Sequence, residues 1–298
     1  MQRTVGESLT DYYQVPSEDL FDKAHAFAGY LGEIRSRGHD LYRRTLYTAS
    51  DHRVQVFDEF TGQVREMVMM ASNNYLGLTY HPKVVEAAVR ATQEYGAGAG
   101  SVPLLAGTMR IHRQLEERLA QFKGCEDAMV FAAGFSSNLG CLAGLLRPGD
   151  LAVNDILNHA SILDGCKMAG AVIKTYPHQD LRSLERILAR AEGQGKLVVV
   201  DGVFSMDGDI APLPDLIRIC RQYGARLMID EAHATGVIGE HGRGTPEYWG
   251  VEGKVDIVAG TLSKALGGVG GFVASTREVI DYLRIFARSY MFSTALPP

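Results

Sequence analysis

Cysteine is scarce and scattered in this sequence: Cys125, Cys141, Cys166 and Cys220 form no CxxC pair and have no histidine at ligand spacing. That argues against both a disulfide framework and a zinc or other metal site, and the expectation is reduced, mostly buried thiols. Runs of lysine and arginine are missing, and the net charge is −5 with a pI near 6.0. The electrostatic footprint of a nucleic-acid binder is therefore absent. No apolar run approaches the ~20 residues that span a bilayer. The opening MQRTVGESLTDYYQ lacks the charged start and apolar centre of a secretory signal. Internal repeats and low-complexity tracts are missing too. These absences predict a cytoplasmic chain with small-molecule partners, no nucleic acid and no membrane span.

What is present is a 298-residue chain, 46% hydrophobic, long enough for one large domain or two smaller ones. Residues 1–50 are charged and aromatic without strong periodicity, and RVQVF and REMVMM flank the turn-rich DEFTGQ as a hairpin. We read residues 1–70 as an N-terminal arm and hairpin, and 71–298 as a large α/β domain. From His81 onward the text predicts a helix over 82–95, a glycine-rich loop over 96–107 and a helix over 111–123. Short apolar runs then alternate with helical segments: AMVFAA, DLAVND, AVIKTY, KLVVVD, ARLMID and VDIVAG, with GGFVAS closing the series. That alternation is the pattern of βαβ units, hence a mostly parallel seven-stranded sheet flanked by helices. Ligands of such sheets bind beyond the carboxyl ends of the strands. The residues there are Asp201, Asp230 with His233, and Thr261 to Lys264.

A strand delivers Asp230 at its tip, and a buried carboxylate there requires a cationic partner such as a protonated pyridine ring. His233 is placed to bond a phenolic oxygen on that ring. The alternatives are a helix cap for Asp230 and a core histidine for His233. The text DEAH also suggests a helicase-like box, but the required phosphate loop is missing: RAEGQGKL has neither the first glycine nor the Ser/Thr. Lys264 follows another strand among small residues, where desolvation lowers an amine's pKa towards imine formation, unless it is simply solvated. Thr261 and Ser263 offer hydroxyls to a phosphate, and Gly267 and Gly268 permit a close turn. Gly134 and Phe135 open a helix whose first N–H groups suit an anion, or else form an ordinary strand-to-helix turn. His159 at a helix start can stack on a flat ring or be a plain helix-entry residue. Asp201 and Ser205 lie beyond a strand, where turn chemistry is the alternative.

In order and spacing, SNNYLGL, GAGAGSVPLLAGT, NHASILDG, DGVFSMDGDIAPL, IDEAHATGVIGEHGRG, GTLSKALGG and MFSTALPP resemble the α-oxoamine synthases of fold-type I pyridoxal-phosphate enzymes. The likeness runs from about residue 70 to the end. It implies a pyridoxal 5′-phosphate acyltransferase that condenses serine, glycine or alanine with an acyl thioester, releasing CoA and usually carbon dioxide. It implies further that Lys264 holds the cofactor as a Schiff base and performs the proton transfers. Asp230 would pair with the pyridine nitrogen, His233 and Ser205 would contact the phenolic oxygen, and His159 would stack on the ring and orient the substrate carboxylate. Gly134, Phe135 and Thr261 would hold the phosphate with Ser293 of the partner subunit, in a homodimer whose site lies at the interface. Asn74 would touch the substrate near its carboxylate.

DGDIAPL, HGRG and ALPP look most like serine palmitoyltransferase, whereas TLSKALGG looks like the glycine-using members. Pro103 stands where several members carry an arginine. The family's carboxylate-anchoring arginine belongs to a smaller C-terminal domain beyond Pro298, so a truncated chain is expected. An aminotransferase or aldolase on the same fold and a non-catalytic subunit are the alternative readings, the last disfavoured by the presence of both Lys264 and Asp230.

Overall fold

The computed structural model describes residues 9–39, 42–191 and 195–298. The backbone separates into two compact units, Met1–Met70 and Ala71–Pro298. In the first lie helices α1 (Leu9–Tyr13) and α2 (Asp22–Ser36) and a hairpin of β1 (Arg53–Asp58) and β2 (Gln63–Val68). The hairpin forms as expected, antiparallel from Arg53 opposite Val68 to Asp58 opposite Gln63. Asp58 sets its turn by accepting from the amide of Phe60 at 3.0 Å, and Gly62 takes the left-handed conformation that closes it. Helix α2 was not legible in the sequence, because it buries no residue and carries no apolar stripe for periodicity to reveal. Residues 1–8, 40 and 41 of the expected arm lie outside the described residues.

The second unit is built on seven strands: β3 (Asp127–Phe131), β4 (Leu151–Asp155), β5 (Val172–Tyr176), β6 (Lys196–Asp201), β7 (Arg226–Asp230), β8 (Ile257–Thr261) and β9 (Gly271–Ser275). They lie side by side in the order β3-β9-β8-β7-β6-β4-β5. Neighbours from β5 to β8 pair in parallel, whereas β9 is antiparallel to both β3 and β8. The reversal has a simple cause: residues 262–270 contain no helix, and a parallel return needs a longer crossover. The helices are α3 (Pro82–Tyr95), α4 (Arg110–Lys123), α5 (Gly134–Leu145), α6 (Ala160–Ala169), α7 (Leu181–Ala189), α8 (Leu213–Gln222), α9 (Thr245–Tyr248), α10 (Arg277–Phe286) and α11 (Arg288–Met291).

Alternating strand residues feed two cores, one on each face of the sheet. Val198 and Val200 of β6 join Leu227 and Ile229 of β7 against Leu213, Leu216 and Ile219 of α8. Leu197, Val199 and Met228 point the other way, towards Leu142 of α5 and Ile162 of α6. Each fully buried Leu or Ile contributes roughly 1.5–3 kcal/mol, so this double-sided burial is what fixes the strand register. The consequence for chemistry is geometric. Strands β4, β6, β7 and β8 run the same way and end in Asp155, Asp201, Asp230 and Thr261, four polar residues along one edge. No described helix is long and apolar enough to cross a membrane. Cys141, Cys166 and Cys220 are buried free thiols, and Cys125 is half-buried.

Candidate active site

The β6–β7 register sets Asp201 directly opposite Asp230, two buried carboxylates on adjacent strand ends. Asp230 accepts from Asn138 Nδ2 at 2.6 Å and from the Ala232 amide at 2.9 Å. Asp201 accepts from the His159 amide at 3.4 Å. Burial, reinforced by the neighbouring Asp230 charge, pushes the Asp201 carboxyl far above the usual range. Among the described residues neither carboxylate forms a salt bridge. A pair of buried acids without a cation is costly, and a cationic group placed here would relieve it.

Lys264 arrives on the turn after β8, with Nζ 2.6 Å from His233 Nε2. Burial lowers the Lys264 pKa, although the Asp230 and Asp201 charges oppose the shift. His233 is held neutral, lowered to about 4 by burial and then by the Lys264 charge. Its other nitrogen, Nδ1, lies 2.7 Å from Tyr75 Oη. An amine with a depressed pKa beside a neutral imidazole is a competent nucleophile and base. The turn that presents Lys264 depends on Gly267, which is left-handed and whose Cβ would sit 2.6 Å from the Thr79 amide nitrogen. The Gly268 amide closes the turn onto the Leu262 carbonyl at 2.9 Å.

An anion cup lies alongside. Helix α5 starts at Gly134, and a Cβ there would lie 3.0 Å from both Cβ and Oγ1 of Thr261, so glycine permits that approach. Thr261 Oγ1 in turn lies 2.8 Å from Ser263 Oγ. The first amides of α5 have no helical acceptor and point the positive end of the helix dipole into the cup. The exposed Phe135 ring meets the His159 ring edge-on at 6.3 Å. His159 caps α6 by accepting from the Ser161 amide at 3.3 Å, and its Nδ1 is 2.7 Å from Ser161 Oγ. Ser161 Oγ also accepts from Asn138 Nδ2 at 2.9 Å, which joins His159 to Asp230 through two polar side chains.

The structure thus brings together Lys264, His233, Asp230, His159, Gly134, Phe135 and Thr261. Three other expected residues are tied in less directly. Asn74 accepts from the Thr79 amide at 3.3 Å, in the turn adjoining Tyr75. Ser205 is exposed on the turn after β6, and Ser293 follows α11; among the described residues neither makes a hydrogen bond. Sequence reasoning missed Tyr75, Asn138 and Ser161. Asn138 had a signal, since it lies four residues after Gly134 and so on the same helix face.

Pyridoxal 5′-phosphate fits these residues. Its phosphate would fit the cup at Gly134 and Thr261, its protonated pyridine nitrogen would give Asp230 a salt-bridge partner, and its aldehyde would suit the Lys264 amine. A buried oxygen, Asn138 Oδ1, also lacks a donor among the described residues.

Comparison with known proteins agrees with this geometry. The family model for aminotransferase class I and II matches residues 65–298. An 8-amino-7-oxononanoate synthase of Geobacter sulfurreducens is 50% identical over 276 residues, 92% of this chain and 68% of that protein. The 4-hydroxy-2,2'-bipyrrole-5-methanol synthase PigH of a Serratia species is 43% identical over 292 residues, 97% of this chain and 45% of its own. Among solved structures, a serine palmitoyltransferase of Sphingomonas wittichii superposes with a TM-score of 0.88 at 37% identity, covering 94% of this chain and 69% of that one. This chain therefore spans between 45% and 69% of the length of these three relatives.

Proposed function

Because the chain belongs to the aminotransferase class I and II family, and within it to the pyridoxal-phosphate-dependent α-oxoamine synthases, we propose that it condenses a small amino acid with an acyl thioester. One observation carries the reading: a lysine of lowered pKa, 2.6 Å from a neutral His233, stands by a buried acid pair that forms no salt bridge among the described residues. The bound cofactor supplies an electron sink for the substrate's α-carbon.

The protein's residues do the rest. Lys264 would attach the cofactor through its amine, whose pKa burial lowers. With substrate bound, the Lys264 amine would be the group that takes the α-proton and later returns it. Asp230 keeps the proton on the pyridine nitrogen, which preserves the sink. His233 and Ser205 bond the phenolic oxygen, while the amides of Gly134 and Phe135, Thr261 Oγ1 and Ser293 of the partner subunit hold the phosphate in a homodimer. His159 would pack against the cofactor ring and orient the substrate carboxylate, and Asn74 would contact that carboxylate's surroundings. A carbon–carbon bond then forms to the acyl carbonyl, the thiolate leaves as CoA or a carrier thiol, and the carboxylate departs as carbon dioxide. The four free thiols accord with work in a reducing cytoplasm.

Serine with a long acyl chain is the reading supported by DGDIAPL, HGRG and ALPP and by the serine palmitoyltransferase superposition. Alanine is the second reading, favoured by 50% identity to an 8-amino-7-oxononanoate synthase. That product carries its amine one carbon from the chain end, which is what alanine leaves after losing its carboxylate. The test is spectroscopic. Incubation with pyridoxal 5′-phosphate should give a visible absorbance band that Lys264→Ala abolishes. Titration with serine, alanine and glycine then identifies the amino acid that shifts the band, and thiol release from acyl-CoAs of graded length identifies the donor. A chain that stays colourless sinks the proposal.

A further inference from the structure

His178 lies in the loop after β5 and takes no part in the chemistry described above. Its Nδ1 is 3.1 Å from Asp155 Oδ1, and its Nε2 is 3.2 Å from Asp209 Oδ2. Asp155 is the buried last residue of β4, four residues before His159. It also accepts from the Gln179 amide at 2.9 Å and the Leu157 amide at 3.0 Å, so it fixes both chain segments around it. Gln179 holds a left-handed backbone, with φ of 54°, to make that contact. Asp209 belongs to the opposite segment, the loop between β6 and α8 that carries Ser205. Two bonds brace this loop: the Phe204 amide reaches the Asp209 carbonyl at 3.0 Å, and the Gly208 amide reaches the Phe204 carbonyl at 2.8 Å. The Phe204 ring meets the His178 imidazole edge-on at 4.5 Å.

We propose that His178 is a positioning residue that clasps the Ser205 loop to the strand end preceding His159, and so sets the Ser205 hydroxyl where the cofactor's phenolic oxygen lies. The proposal rests on the reading of Ser205 as a cofactor contact. A neutral imidazole carries one N–H and can donate to only one of the two carboxylates; the protonated ring donates to both. The charged groups facing it are Asp155 from β4 and Asp209 from the loop, with the uncharged Phe204 ring beside them. Burial pulls the His178 pKa down, but the hydrogen bonds to Asp155 and Asp209 outweigh it and hold the group above the ordinary imidazole value. A group raised on folding contributes fully below its unfolded pKa and loses that contribution as pH rises through the folded one. The clasp is therefore closed in mild acid and opens above the ordinary imidazole pKa, with the half-exposed Asp209 arm releasing first.

Hydrogen exchange and cofactor affinity test this together. In the wild-type chain the amides of Phe204 and Gly208 should exchange faster than the intrinsic pH dependence requires once His178 deprotonates, and His178→Gln should exchange fast at every pH. Asp209→Asn leaves the Asp155 contact in place, so it should lose the same pH step without lowering the melting temperature. In pyridoxal 5′-phosphate binding, Ser205→Ala should weaken affinity several-fold in the wild type and add nothing to His178→Gln. Retention of the pH step in His178→Gln, or independent multiplication of the two effects on affinity, overturns the proposal alone. A wild-type chain that takes up no cofactor overturns the functional reading and this inference with it.

Discussion

Asp230 and Glu231 are adjacent, both buried and both acidic, yet their surroundings are opposite. Glu231 has every partner supplied from within the protein. The Thr245 amide donates to it at 3.0 Å, the Thr245 hydroxyl donates to its other oxygen, and Lys123 Nζ lies 3.5 Å away. Lys123 has a second acceptor in the Arg243 carbonyl at 2.7 Å. Gly202 and Gly244 leave room for the carboxylate, since a Cβ at either would collide with it. Asp230, by contrast, has two N–H donors, an acidic neighbour in Asp201 and, among the described residues, no salt-bridge partner, the Lys264 charge acting on it only from a distance. A buried charge whose countercharge is internal belongs to the scaffold, and one whose countercharge is missing points to a ligand.

Removing one partner from each acid should separate the two roles. Glu231→Gln leaves the buried Lys123 amine without its countercharge, with only the Arg243 carbonyl to accept from it, and a broken buried pair costs about 3–5 kcal/mol. Chemical denaturation of the cofactor-free chain should show that loss, and adding Lys123→Met should recover part of it. An unchanged midpoint would break the contrast. Asp230→Asn should do the reverse. It removes the charge that helps raise the Asp201 pKa, so where Asp201 is ionised like-charge repulsion is relieved and the cofactor-free melting temperature should hold or rise. Cofactor affinity should meanwhile fall by about ten- to a hundredfold, given ~1.5–3 kcal/mol for a hydrogen bond to a charged group and ~1.4 kcal/mol per tenfold.

The third effect is one of pH. The Asp201 pKa is raised in the folded chain, so between the ordinary carboxylate pKa and the raised value the native state binds more protons than the unfolded one. Stability of the cofactor-free chain should therefore fall as pH rises from the ordinary carboxylate range into the neutral range, by at most about 1.4 kcal/mol per pH unit. Asp201→Asn should flatten that slope, and a slope unaltered by the substitution would assign it to other groups. Bound cofactor, whose cation offsets the acid pair, should flatten it as well.

Much of the site was legible because chemistry in a parallel sheet gathers at strand ends, and strand ends can be read from apolar runs. Lys264, Asp230 and Thr261 each follow such a run, and Gly134 starts the helix after one. What was not legible shares a different character. Tyr75 stands in an exposed turn without regular structure, and Asn138 and Ser161 are ordinary helix residues whose importance lies in what they touch. His178 sits in a loop whose sequence carries no motif that points to its two acids. Ser293 was readable only through family likeness, whereas Ser205 also stands beyond an apolar strand run, and among the described residues no hydrogen bond holds either.

The order of strands and helices, the residues at strand tips and the glycines at sharp turns were determined by the sequence alone, since periodicity and backbone freedom are local properties. Which tips become neighbours was decided only by the tertiary structure. Asn138 bonds Asp230 across 92 positions, Tyr75 bonds His233 across 158, and Asp201 faces Asp230 through strand pairing. Two-sided burial of the sheet selects that order, and only then does an acid at one strand end meet an acid at the next, with the Lys264 amine close enough to feel both charges.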